Sequence, residues 1–194
     1  MTKSKATAKV DLEGHLAKHH NQFAAFMRRY RKRMGRSIVN VGLDHNPKFA
    51  STPWVDYFRK LRFSRIHILE YHKPNVNYFT DYYRDEDDVR VVYGDVRRCG
   101  RLLPRSHFAF WWHGPEHIPK KDLAAAYWQL RRVARKMVWV CPWGNYYRLG
   151  RGRYCGDAHH FYPEIEDFTS LGFKVFTTGG PKSDPNANIV AHNL

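Results

Sequence analysis

Short apolar runs alternate with polar, helix-like stretches along most of the chain, beginning at Ser37. Residues 37–41, 66–70, 89–93, 107–112 and 136–141 are five or six residues long and rich in Val, Ile, Phe and Trp, as strands buried on both faces require. The stretches between them carry helix signals. Pro53 follows Thr52, a hydroxyl able to cap, and predicts a helix over 53–61 with Arg59, Lys60 and Arg62 crowding its far end. Pro119 opens a longer helix whose apolar stripe is Leu123, Tyr127, Leu130 and Ala134. Pro163 with Glu164, Glu166 and Asp167 starts a third, which Gly172 stops. This alternation predicts βα units around a mainly parallel sheet. The last two apolar runs, 172–177 and 188–192, are too close for a helical crossover and predict an antiparallel pair, giving seven strands.

Ahead of Ser37, Leu12, Leu16, Phe23, Met27 and Tyr30 recur at helical spacing and predict one amphipathic helix over 11–34, ended by Gly35. The chain thus divides into a basic appendage, 1–36, and an α/β domain, 37–194. Charge sharpens the division. The net charge is +15, and residues 1–36 hold 10 Lys and Arg against 2 acids. The run Arg28-Arg29-Tyr30-Arg31-Lys32-Arg33 has two readings. Clustered cations contact nucleic-acid phosphates or form a nuclear address, which makes nucleic acid a partner expectation for residues 28–36. Cations also complement the last turn of a helix.

The longest apolar runs fall far short of the ~20 residues a bilayer span needs, so no membrane partner is expected. Cys99, Cys141 and Cys155 are odd in number and form no C-x-x-C pair, which argues for an intracellular, cytoplasmic chain without a disulfide framework or thiolate zinc site.

Several local motifs occur in a telling order: Tyr93-Gly94-Asp95, His107-Phe108-Ala109-Phe110, Pro115-Glu116-His117-Ile118, and Met137-Val138-Trp139-Val140-Cys141-Pro142. His160-Phe161-Tyr162-Pro163-Glu164, Leu171-Gly172-Phe173-Lys174-Val175 and Ile189-Val190-Ala191 follow. From Ser37 to Leu194 this succession resembles the class I S-adenosylmethionine-dependent methyltransferases. The resemblance implies a Rossmann-like, seven-stranded, mostly parallel sheet with an antiparallel last strand and helices on both faces. It also implies S-adenosyl-L-methionine as cofactor and a small-molecule or RNA methyl acceptor.

In an open α/β sheet, ligands bind at the carboxyl ends of the strands. There the resemblance assigns Glu70 to the ribose hydroxyls of the cofactor, a task suited to an acceptor-only carboxylate. It assigns Asp95 to the adenine amino group and Val96 to the edge of the adenine ring. Gly42 lets the backbone approach the cofactor. Leu43 and Asp44 begin a loop that lacks the further glycines of the family, the main departure from its pattern. Tyr71 and Trp112, at the ends of the second and fourth apolar runs, complete the expected cofactor set.

For catalysis, His113, Glu116, His117 and His160 are the candidate general bases, since methyl transfer to a hydroxyl needs a proton acceptor. His113-Gly114-Pro115-Glu116-His117 also spells a metalloprotease string, but Pro115 would break the helix that motif needs. Related transferases bind a divalent ion through E-x-x-E-H, where His113 here replaces the first Glu. A set completed by His159 or His160 could hold a transition metal. Glu-His at this place also occurs in metal-free relatives, so no metal ligand is assigned.

The Asp/Asn-Pro-Pro-aromatic turn of amino-nitrogen transferases is replaced by Trp111-Trp112-His113-Gly114, which favours O-methylation. Cys141 reads as a small buried hydrophobe. Tyr146, Tyr147 and Tyr154, with Arg148, Arg151 and Arg153, could contact an anionic acceptor or form a solvated lid. The alternative to a working transferase is a non-catalytic binding or scaffold protein of the same fold.

Overall fold

Seven strands form one sheet in the order β3-β2-β1-β4-β5-β7-β6. They are β1 Ser37–Val41, β2 Arg65–Glu70, β3 Val89–Tyr93, β4 Ser106–Trp112, β5 Ala134–Pro142, β6 Lys174–Thr178 and β7 Asn188–His192. The computed structural model describes residues 12–42, 53–144, 149 and 158–194. The first five strands pair with one another in parallel, while β7 runs antiparallel to both β5 and β6. The chain moves outward from β1 to β3 and then returns to lay β4 on the other side of β1. In open α/β sheets such a reversal marks where ligands bind, beyond the carboxyl ends of the flanking strands, here β1 and β4.

Side chains of β4 show how the sheet divides two cores. Phe108, Phe110 and Trp112 join the layer built from α1 Leu12–His19, α2 Asn21–Tyr30, α3 Pro53–Lys60 and α4 Lys73–Tyr82. Ala109 and Trp111 join the opposite layer, built from a 3₁₀ turn at Val96–Arg101, α5 Leu123–Val133 and α6 Ile165–Thr169. The alternation follows from the two-residue period of a strand. Phe23, Trp54, Phe58 and Phe110 pack in the first core with ring centroids 4.7–6.5 Å apart. Truncating one such buried aromatic to Ala typically costs about 3–5 kcal/mol.

The N-terminal segment is two helices, where its periodicity predicts one. The break is at His20, with φ −137° and ψ 41°, whose buried ring stands edge-on to Trp112 at 5.5 Å. Bending there keeps Leu16 of α1 and Phe23, Phe26 and Met27 of α2 in the same core as the sheet. Gly35 ends the segment with φ +72°, and a Cβ there would overlap the ring of His107.

Arg31 is a staple rather than a surface cation. Its guanidinium donates to the carbonyl oxygens of Gly35 (2.6 Å), Arg62 (2.7 Å) and Leu61, and lies 4.0 Å over the Phe63 ring. Burial lowers its pKa. Arg28, Arg29, Lys32 and Arg33 of the same run are exposed.

Other boundaries move slightly. Ala134 and Arg135 belong to β5 rather than to the preceding helix, and β6 starts at Lys174. Glu164 caps α6 in a reciprocal arrangement with Asp167, and Gly172 stops the segment with φ +85°. The α4 helix and the Val96–Arg101 turn are elements that the apolar pattern does not predict. Thr52, Tyr146, Tyr147, Arg148, Arg151, Arg153 and Tyr154 lie outside the described residues. No helix among the described residues is long and apolar enough to cross a membrane.

Candidate active site at the carboxyl edge of the sheet

Gly42 leaves β1 with φ +77° and donates its N–H to Leu69 O at 2.8 Å, with open space where a Cβ would stand. Leu43 and Asp44 lie outside the described residues. Glu70 ends β2 only 7% exposed. Its Oε1 accepts the His72 N–H at 2.6 Å, and its carbonyl accepts the Gly94 N–H at 2.9 Å. The first bond holds the carboxylate, and the second holds the backbone, at the carboxyl end of β2. Tyr71 beside it is 49% exposed, at the lip.

Asp95 follows β3 and caps the Val96–Arg101 turn through the Arg97 N–H (2.8 Å). The Arg97 guanidinium also bonds both Asp95 oxygens, at 2.6–3.0 Å, and reaches Asp122 at 2.7 Å. Burial pushes the Asp95 carboxyl up, but Arg97 outweighs it and holds the group below its ordinary range. Much of its acceptor capacity is therefore taken within the chain. Val96 is buried in the second core with Leu69.

At the end of β4, Trp112 packs against Trp54, Phe23 and His20, and its ring stacks on His113 with centroids 5.2 Å apart. His113 has φ +46° and sits 2.9 Å, through Nε2, from Asn188 Oδ1 at the start of β7. Burial lowers its pKa to about 3, leaving the ring neutral. Beside this corner, a polar cavity of about 480 Å³ opens between the α1–α2 elbow, with Lys18, Asn21 and Gln22, and the β6–β7 hairpin, with Thr178, Gly179 and Asn186.

The chemically richest group lies one turn on. Pro115–His117 form a 3₁₀ turn anchored by the His117 N–H to Gly114 O (3.0 Å). It drives Glu116 into the protein, 0% exposed, where neither carboxylate oxygen has a hydrogen-bond partner among the described residues. Burial lifts its pKa to about 8. His117 Nε2 is 3.8 Å from Glu116 Oε1, and the His159 ring stands edge-on to His117 at 4.8 Å. One ligand atom from each of Glu116, His117 and His159 lies within 4.8 Å of the others. A tetrahedral ion with bonds of ~2.1 Å needs its ligands ~3.4 Å apart, so a small side-chain closure would complete such a set.

Of the four predicted bases, the structure gathers Glu116 and His117 but leaves the His160 side chain exposed. The His160 N–H donates to Glu116 O at 2.8 Å, and the neighbouring His159 supplies the ring. Cys141 is buried, and burial raises its thiol well above the ordinary value, as befits an inert core residue.

No protein-family model matches the sequence, and no curated protein matches it. Solved structures do. The methyltransferase domain of a bacterial CtHen1 superimposes with a TM-score of 0.62 at 12% identity, covering 93% of this chain and 99% of that one. A SAM-dependent methyltransferase from Aquifex aeolicus gives 0.58 at 16% identity, covering 94% and 93%. Magnesium protoporphyrin IX methyltransferase from Synechocystis, solved with bound SAM, gives 0.57 at 10% identity, covering 95% and 85%. This chain has the Rossmann-like methyltransferase fold. In a fold ordered in this way, Gly42, Glu70, Asp95 and Trp112 all stand at the carboxyl edge, at or just past the ends of the first four strands.

Proposed function

We propose that the chain is an S-adenosylmethionine-dependent methyltransferase acting on a hydroxyl oxygen of a small molecule or an RNA. The observation that carries this reading is Glu70, a buried carboxylate held at the end of β2 beside the strand-order reversal. The similar structures solved with bound SAM or SAH support the choice of cofactor. When bound, S-adenosylmethionine supplies an electrophilic methyl group on a sulfonium. Glu70 would accept hydrogen bonds from the ribose hydroxyls, and Gly42 would leave room for the backbone to approach. A hydroxyl acceptor would have to give up its proton to become the nucleophile. Glu116, His117 and His159 are the groups available to hold that proton.

A second reading is favoured by one observation, the buried Glu116 carboxyl without a hydrogen-bond partner among the described residues. Such a group is stable either protonated or neutralised by a cation. Glu116, His117 and His159 would hold a divalent ion, which polarises the acceptor hydroxyl when bound.

Titration calorimetry with S-adenosylhomocysteine tests the reading. Binding in the micromolar range is expected, and no heat at millimolar ligand would leave a scaffold of the same fold. Titrating chelator-treated protein with Mn²⁺ or Zn²⁺ then separates the two catalytic variants.

A further inference from the structure

Cations line the sheet edge opposite the candidate active site. Arg36 leads into β1, Arg65 opens β2, Arg105 precedes β4, Arg135 and Lys136 begin β5, and Lys174 opens β6. The parallel registers set Ser37 beside Arg65 and Ser106 beside Ala134, while Lys174 lies beside His192 at the end of β7. These positions share the amino-terminal edge.

Two further arginines are fastened to it. Lys136 Nζ donates to Arg33 O at 2.5 Å, bringing the end of the N-terminal segment against β5. The Arg31 staple holds the carbonyls of Gly35 and Arg62, and the Ser64 N–H holds that of Arg36 at 2.9 Å. None of these edge cations has an ion-pair partner among the described residues. The acids of this edge gather at one corner, Asp85 to Asp88 before β3, where Glu86 and Asp88 are occupied by Arg59 at 2.9 and 2.6 Å.

Strands ~4.8 Å apart place the openings of β2 through β5 over roughly 14 Å, and reaching β6 adds about 10 Å more. This is the footprint of an extended polyanion. Arginine predominates, and its planar fork matches phosphate oxygens. The large exposed apolar side chains of the described surface, such as Tyr71, Tyr78 and Trp128, lie on other parts of the fold, so nothing on this edge would enter a lipid interface.

We infer that the amino-terminal edge of the sheet is a docking surface for the phosphodiester backbone of a nucleic acid, running from β2 toward β6 and kept off the β3 corner by its acids. The surface combines Arg33 of the N-terminal basic run with strand entrances more than 100 residues away in sequence. It does not require the transferase reading. If the nucleic acid is also the methyl acceptor, it must span the sheet, about 17–30 Å for strands of 5–9 residues, to reach the carboxyl edge.

The test uses the full chain, without methyl donor, and fluorescence anisotropy with a labelled 24-nucleotide single-stranded RNA, repeated with DNA of the same sequence. Wild-type protein is expected to bind both, with affinity falling as salt rises. Arg36→Glu/Arg65→Glu/Arg135→Glu should weaken binding at least tenfold and reduce the salt slope by about 2, at ~0.7 per phosphate contact. Lys73→Glu/Arg98→Glu/Lys121→Glu makes the same charge change away from this edge and should cost less than threefold. Equal losses in the two triples, or no RNA and DNA binding by wild type, overturn the inference, as does tighter binding to phosphatidylserine vesicles than to either nucleic acid. A second set, with Gln replacing Glu, must keep the same order, and melting temperatures confirm that each variant is folded. Failure here leaves S-adenosylhomocysteine binding untouched, so the two readings fail separately.

Discussion

His113 Nε2 meets Asn188 Oδ1 at 2.9 Å, joining the end of β4 to the start of β7 across β5. Asn188 Nδ2 donates to Asn186 O at 3.0 Å, which leaves Oδ1 as acceptor, so the neutral His113 ring donates from Nε2 and keeps Nδ1 unprotonated. Replacing His113 by Ala should strand the Asn188 amide oxygen and destabilise the fold by about 1–3 kcal/mol. Denaturant unfolding checks this, and an unchanged midpoint would show the bond to be dispensable.

The pH dependence of stability follows from two buried groups of opposite sign. His113, about 3 folded against 6.5 unfolded, contributes stability fully present above pH 6.5 and lost as pH falls toward 3. Glu116, about 8 folded against 4.5 unfolded, contributes stability fully present below pH 4.5 and lost as pH rises through 8. Their slopes oppose between pH 4.5 and 6.5. In chelating buffer, Glu116→Gln should remove the loss above pH 4.5, so its melting temperature should rise relative to wild type between pH 5 and 8. A constant difference between the two proteins across that window would count against the raised pKa.

Glu70→Ala removes an acceptor of charge-assisted hydrogen bonds worth about 1.5–3 kcal/mol. S-adenosylhomocysteine should bind about 10–150-fold more weakly, measured by calorimetry, with Glu70→Gln in between. An unaltered dissociation constant would remove Glu70 from the cofactor site.

Adjacent histidines give a sharp comparison. His159 joins Glu116 and His117, whereas the His160 side chain is exposed. His159→Ala should weaken Mn²⁺ or Zn²⁺ binding by roughly tenfold or more, and His160→Ala should leave it nearly unchanged. Equal effects would dissolve the proposed ligand set.

Arg31→Lys keeps the charge and loses the fork that serves the carbonyls of Leu61, Arg62 and Gly35. A loss of about 1–3 kcal/mol is expected, lowering the melting temperature by roughly 3–10 °C. A melting temperature within about 1 °C of wild type, at most about a third of that effect, would make the staple ornamental.

Strand positions were legible in the sequence because each buried strand is a short apolar run bounded by turn or helix signals, as Ile66 to Glu70 and Val89 to Tyr93 illustrate. The α4 helix was not, since only Asn75 and Phe79 of its ten residues are buried and no apolar stripe marks it. The elbow at His20 escaped for another reason. Periodicity continues on both sides of it, and the bend answers to tertiary packing, in which His20 meets Trp112 and both helices share one core. At the site, motif order pointed to Glu116 and His117. Choosing between His159 and His160 needed the backbone, because neighbouring residues of one type are identical to a pattern and opposite in space.

Trp111 and Trp112 are consecutive residues of β4 that project into opposite cores. A single strand is thereby shared by both helical layers, so neither layer can lose its packing while the other keeps a complete surface to rest on. Heating should therefore produce one heat-absorption peak for the whole sheet, and a molecule seated at the end of β4 would raise the melting point of helices that it never touches.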